Sequence, residues 1–387
     1  MPKIDKKILA AIVAVIVIVA AVAAYVVTPL APPTAPAPPP TPTKPELTGK
    51  VSWVIGTSDP GSVGYIAHAT IADVLTRAYP ENFEITISVV GGAAAGHAAW
   101  DAGRCDLGYT AMNIVYQYVT KTGRWDPAKM VAKRYDEMTV IVYQYPLIYT
   151  LFVTEDLRDK VTCWSDLKKL GKDIGVYATP AGYASHEVFR EAFSILFDCK
   201  PEDLDKILNI DASGVAAVPD LLVMGKVKAV WGYGDPGGPA SWVSDAFARY
   251  GYKLVAVPPS KDELDKILSE SPNLIKFKMD LTPYNVKTRT GETSLDTIAV
   301  GFGLVGSKYL SKDHIAAFFE AHIINAKDLE ATGIATFKNY GEWFLEFCVE
   351  CFKKQSTFGA TIHPGVAEVL KKYGYDPDKL GILVAKP

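Results

Sequence analysis

The chain has 387 residues, with 40 basic against 43 acidic side chains and a net charge of −3, so its charge does not favour a nucleic acid or an anionic membrane surface as partner. Hydrophobic residues make up 49% and aromatic residues 11%, enough for a large buried core, and the length suits two domains better than one. The five cysteines, Cys105, Cys163, Cys199, Cys348 and Cys351, are odd in number and show no framework spacing; most read as buried thiols, and Cys163 with Cys199 is the one candidate bridge.

Residues 8–27 read ILAAIVAVIVIVAAVAAYVV, with no charged or strongly polar side chain. As a helix this run spans about 30 Å, the depth of a bilayer core. Lys3, Lys6 and Lys7 precede it, so the positive-inside bias puts the first residues in the cytoplasm and the rest outside. Ala21-Val22-Ala23 has the small-x-small form of a signal-peptide cleavage site, which leaves secretion as the alternative; the length of the apolar run favours a retained anchor. Residues 28–45, TPLAPPTAPAPPPTPTKP, predict an extended polyproline stalk of about 50 Å, with threonines suited to O-linked sugar. The expected division is a membrane anchor or signal segment over 1–27, a Pro/Thr-rich linker over 28–48, a first lobe over 49–147, a second over 148–293, and a return into the first over 294–387.

Beyond the linker, strand and helix alternate. A strand is expected over 51–55, a Gly/Ser-rich loop over 56–64, and a helix over 66–78, where Ile71, Val74, Leu75 and Ala78 recur at helical spacing. Phe83, Ile85, Ile87 and Val89 alternate as a strand does. Gly91-Gly92 opens an alanine-rich helix to residue 102, followed by a strand over 107–109 and a helix over 112–119. Residues 147–153 predict an apolar-aromatic strand able to cross between lobes. The second block adds a short helix over 165–170, a strand over 174–178, a helix over 184–197, and strands over 229–233 and 254–257. A long strand over 294–306 is the candidate return crossing, and the last eighty residues or so read as mostly helical. This order implies an α/β protein with parallel strands and helical crossovers.

Three loops share one design, each running from the end of a strand into the start of a helix: Thr57-Ser58-Asp59-Pro60-Gly61-Ser62, Gly91-Gly92-Ala93 and Thr179-Pro180-Ala181-Gly182-Tyr183-Ala184-Ser185. Small residues let backbone N–H groups approach a ligand, and helix N-termini favour negative charge. In open α/β sheets ligands bind at this edge. The chain has no G-x-S-x-G elbow, no Walker loop and no dinucleotide fingerprint. The six histidines are scattered; His97 and His186 follow the glycine loops, but read first as satisfied helix residues. Cys348-x-x-Cys351 falls inside an aromatic helix over 342–354, without two further zinc ligands nearby, and reads as core. Tyr109, Tyr116, Tyr143, Tyr145 and Tyr149 lie where a hinge cleft would form, though each taken singly reads as a half-buried strand residue.

With these pieces in order, the chain resembles the TAXI family, the extracellular solute receptors of tripartite ATP-independent (TRAP) transporters. The likeness is carried by Ile55-Gly56-Thr57 with Gly64-Tyr65, by Gly91-Gly92-Ala93, by Ala102-Gly103-Arg104-Cys105-Asp106-Leu107-Gly108, by Asp166-Leu167-Lys168, by Gly234-Asp235-Pro236, and by His363-Pro364-Gly365-Val366 with Tyr373-Gly374. It departs from the family pattern at Ala93, where serine is usual, and at Pro180-Ala181-Gly182-Tyr183-Ala184.

The resemblance implies a two-lobed, type II periplasmic-binding-protein fold that traps a small carboxylate or amino acid and delivers it to a TRAP permease, with no cofactor, metal or covalent chemistry. A receptor for an ATP-driven importer is the alternative, followed by a secreted enzyme on the same fold. The candidate ligand-binding residues are Thr57, Ser58, Gly61, Ser62, Tyr65, Gly91, Gly92, Ala93, Thr110 and Asn113 from one lobe. From the other come Thr179, Tyr183, Ser185, Tyr233 and Asp235, the last a candidate partner for an α-amino group.

Overall fold

The computed structural model describes residues 47–386 apart from positions 59, 61, 129, 181 and 182. The expected anchor, most of the linker, and Asp59, Gly61, Ala181 and Gly182 of the candidate loops lie outside the described residues. Among the described residues no helix is long and apolar enough to cross a membrane.

The described residues form one compact unit built on a twelve-stranded sheet. In chain order the strands are β1 (Val51–Thr57), β2 (Phe83–Val89), β3 (Leu107–Ala111), β4 (Met138–Thr154), β5 (Gly175–Tyr177), β6 (Asn209–Asp211), β7 (Ala229–Asp235), β8 (Gly238–Pro239), β9 (Leu254–Val257), β10 (Ile275–Asp280), β11 (Lys287–Thr288) and β12 (Ser294–Ser307). The main helices are α1 (Val63–Ala78), α2 (Ala93–Asp101), α3 (Met112–Thr120), α4 (Ala184–Phe197), α5 (Ser241–Arg249), α6 (Lys261–Glu270), α7 (Lys312–Ile324), α8 (Tyr340–Ser356) and α9 (Pro364–Lys372).

The spatial order β2-β1-β3-β12-β4-β7-β5-β6 explains the two halves. β1 pairs in parallel with β2 and β3, and β5 in parallel with β6 and β7, as helical crossovers require. Between them run the two long strands, β4 and β12, antiparallel to each other. β12 pairs with β3 of the first half, and β4 with β7 and β9 of the second. The α/β class is as expected, and β4 and β12 run between the two halves.

β4 is longer than its apolar stretch suggested, because residues 138–146 continue the same sheet. It is buried at every position except Leu147, which is what a strand covered on both faces demands of its sequence. Two register shifts, between Phe302 and Gly303 and between Leu304 and Val305, leave Gln144 and Ile141 of β4 unpaired with β12. Such bulges bend a strand and raise its twist. The Gln144 side chain is fully buried and its amide donates to His322 Nε2 at 3.1 Å, while His322 Nδ1 donates to Phe318 O at 3.0 Å.

One continuous core runs through both halves, with an aromatic group in each. In the first, Trp53 meets Phe83 at 5.5 Å and Phe318 at 6.1 Å between ring centroids. In the second, Trp231 is fully buried against Trp164 (5.0 Å), Phe193 (5.7 Å) and Tyr149 (stacked, 5.7 Å). The strands β6, β8, β10 and β11 and the helices α5 and α6 were not anticipated: they are short or strongly polar outside their buried faces, as in α6, where only Glu263, Leu264 and Ile267 are buried.

All five cysteines are free, so the candidate Cys163–Cys199 bridge is corrected. Cys163 Sγ lies 3.5 Å from Ser165 Oγ in its own turn, and Cys199 sits just beyond α4. Cys348 and Cys351 are fully buried on α8; the Cys348 thiol donates to Tyr143 O at 3.0 Å, and burial pushes both thiols up.

Candidate functional site

Four helices begin at one cavity between the halves. α1 starts after β1 with Ser62 as N-cap, whose hydroxyl accepts from Tyr65 N at 3.2 Å. α2 starts after β2 with Gly92 at the cap, α4 after β5 with Tyr183, and α5 after the β7–β8 hairpin with Ala240. The chain folds this way because β1 and β2 of one half run antiparallel to β5 and β7 of the other, through β12 and β4, so that their carboxyl ends face each other and short loops of small residues lead from them into the helices. First-turn N–H groups of a helix have no acceptor within it, so each start directs donors and partial positive charge toward the space it faces.

That space is a cavity of about 370 Å³, within the usual range for small-ligand sites. From the first half come Ser58, Ser62, Val63, Gly64, Gly92, Ala93, Ala94 and Tyr109. The crossing strands supply Tyr145, Leu147 and Phe302, and the second half Tyr183, Ala184, Ser185, Tyr233, Ala240, Ser241 and Trp242. Among the described residues none of the lining side chains is Asp, Glu, Lys, Arg or His. Polarity comes from serine hydroxyls, phenols and helix ends. Ser58 and Ser62 hydroxyls bond each other across the α1 cap, and Tyr109 and Tyr145 share a 2.6 Å hydrogen bond. Burial pushes both phenols well above their usual range, so they are protonated and neutral.

Seven of the candidate residues line the cavity: Ser58, Ser62, Gly92, Ala93, Tyr183, Ser185 and Tyr233. Gly61 lies outside the described residues. The others serve the frame. Thr57 and Thr110 are fully buried, with their hydroxyls against His68 Nδ1 (2.6 Å) and His97 Nδ1 (2.9 Å). Tyr65 stands within α1 and is not in the lining. Gly91, at φ +102°, makes the turn that a residue with a Cβ rarely makes and brings Gly92 to the cavity. Thr179, also at positive φ, bonds Ser185 Oγ at 2.8 Å and so holds the start of α4.

Asn113 donates not toward the cavity but across the halves, to Glu187 at 3.3 Å. Asp235 accepts from Thr336 Oγ1 (2.7 Å) and Gly237 N (2.8 Å) and is not in the lining; burial raises its carboxyl despite those bonds. The proposed α-amino contact therefore has no support in this geometry. His97 is a core residue among Trp100, Tyr118 and Trp125. His186 accepts from Arg190 Nε and donates to Thr179 O, so both its nitrogens are engaged away from a ligand.

Sequence reasoning placed Tyr109 and Tyr145 near a hinge cleft but missed Phe302 opposite them, Leu147 and the fourth helix start. Tyr145 and Phe302 face each other because β4 and β12 pair them in register, which no local pattern reveals. Ala240, Ser241 and Trp242 follow a strand and a loop of glycines, the same signal as the other three starts. The extra hairpin β8 displaces that helix from the loop and hides the pattern.

A family model described as the NMT1-like family matches residues 55–341. None of the curated proteins matches the sequence. Among solved structures, the chain is similar to the periplasmic aliphatic sulphonate binding protein SsuA of Escherichia coli, with 13% identity, 84% of each chain covered and a TM-score of 0.39. It is similar to MatC of Rhodopseudomonas palustris with bound malate, with 13% identity, 80% of this chain and 97% of that one covered and a TM-score of 0.44. A TctC solute binding protein from Polaromonas gives 13% identity, coverage of 80% and 96%, and a TM-score of 0.46.

Proposed function

The chain belongs to the NMT1-like family, and from that premise we propose that it is an extracytoplasmic solute-binding receptor that captures a small organic acid unchanged and hands it to a TRAP-type membrane permease. The observation that carries this reading is the convergence of four helix N-termini, two from each half, on one cavity with no cationic side chain in its described lining. A carboxylate there accepts from backbone amides and serine hydroxyls and gains from each helix end, typically about 0.3–1 kcal/mol apiece. Because the donors belong to both halves, an occupied site favours the arrangement that brings the halves together. The apolar segment over 8–27 would hold the receptor beside its permease and raise its effective concentration there.

Thermal unfolding of the full chain against a panel of mono- and dicarboxylates tests the binding step. A ligand at a hundred times its Kd raises stability by about 2.7 kcal/mol. No shift with any acid would sink the reading. Uptake reconstituted with permease tests the partner: transport driven by an ion gradient without ATP is expected, and a strict ATP requirement would assign the receptor to an ATP-driven importer.

A further inference from the structure

Resting on the receptor reading above, we infer that the preferred ligand is an organic monoanion with a flat apolar body and no ammonium group, an aryl carboxylate being the type. The walls give the body. Tyr145 and Phe302 lie nearly parallel (10°) with ring centroids 5.8 Å apart, and Tyr109 stands 5.9 Å from Phe302. On the second half Tyr233 and Trp242 meet edge to face at 5.6 Å. Leu147, the one part-exposed residue of β4, adds an aliphatic surface between them. A ring entering this space would replace water on aromatic faces and gain offset or edge contacts.

The polar inventory restricts the rest of the ligand. The helix starts serve one anionic group. An ammonium group would enter without a carboxylate among the described lining residues, and burying an unpaired charge is costly. Among the described residues, two nearby acids are engaged elsewhere: Asp235 with Thr336 and Gly237, and Glu187 with Asn113 and Gln117. A second carboxylate would likewise find no arginine or lysine in that lining. A lone quaternary cation fits the rings, but it opposes the positive ends of four helices.

Isothermal titration of the full chain with benzoate, phenylacetate, L-phenylalanine, L-glutamate and glycine betaine tests this. One of the two aryl carboxylates should bind at least about tenfold tighter than every amine-bearing compound. Equal or tighter binding of L-phenylalanine, glutamate or betaine overturns the inference and leaves the receptor reading standing. Failure of every compound, together with every acid of the wider panel, overturns both. Trp242→Leu, at a partly buried position packed on Tyr177 and Tyr233, should lower the unliganded melting temperature while keeping a cooperative transition, and weaken the aryl carboxylate by about tenfold; undiminished affinity in a folded variant would also overturn the inference.

Discussion

Single residues divide cleanly between frame and site. Gly91 and Gly92 look alike in sequence, yet only Gly91 needs glycine for its backbone, at φ +102°. Gly92 has φ −64°, and a Cβ built there meets nothing within 4 Å. Gly92→Leu should therefore fold normally and project into the cavity, abolishing binding measured by calorimetry with little change in unliganded melting. Retained affinity would place the ligand elsewhere.

The buried histidines are frame. His68 and His97 are held neutral by burial with values lowered to about 3, and His322 to about 4. Above the unfolded value near 6.5 both states are neutral and these residues contribute nothing to pH dependence. Below it the unfolded chain takes up protons that the folded chain refuses, so stability falls with pH down to the folded values. By pH 5 each histidine should cost about 2 kcal/mol. Denaturant unfolding at pH 7.5 and 5.0 checks this, and equal stability at both would contradict it.

Among elements, the helix start is the working unit. Ser62 caps α1 by accepting from Tyr65 N and also meets Ser58, so its hydroxyl serves both the helix and the cavity wall. Ser62→Ala should lower stability by about 1 kcal/mol, the usual value of a lost cap, and weaken binding beyond that. A stability loss with unchanged affinity would make Ser62 a cap alone. The start of α2 is close to β3 for a related reason: a Cβ at Gly96 would lie 2.6 Å from Tyr109 O, and one at Gly108 2.7 Å from Gly96 O. Small residues here let helix and strand backbones touch, which sets the depth at which Tyr109 enters the cavity.

For the whole molecule, the pairing of halves matters most. Glu187 on α4 accepts from Asn113 (3.3 Å) and Gln117 (3.0 Å) on α3, so a carboxylate of one half fastens amides of the other. Glu187→Ala should shift the molecule toward a more open form, seen as a larger radius of gyration in solution scattering and as weaker apparent affinity, because part of the binding energy then goes into closure. An unchanged radius in the unliganded state would show that these bonds do not hold the halves.

The sequence alone determined the α/β class, most strand and helix positions of the first half, the two crossing strands, and the small-residue turns at which three helices begin. These are local properties: hydrophobic period, glycine and serine at turns, and continuous apolar runs where both faces are covered. Tertiary structure alone decided which turn residues reach the cavity. Thr57, Thr110, Asn113, Thr179 and Asp235 have the chemistry of ligand contacts, but buried polar groups must find partners, and each found one in the protein. It also decided the aromatic walls, since Tyr145 and Phe302 are distant in sequence and meet only through the register of two long strands. Propensity acts along the chain, whereas a cavity is defined by surfaces that different strands bring together.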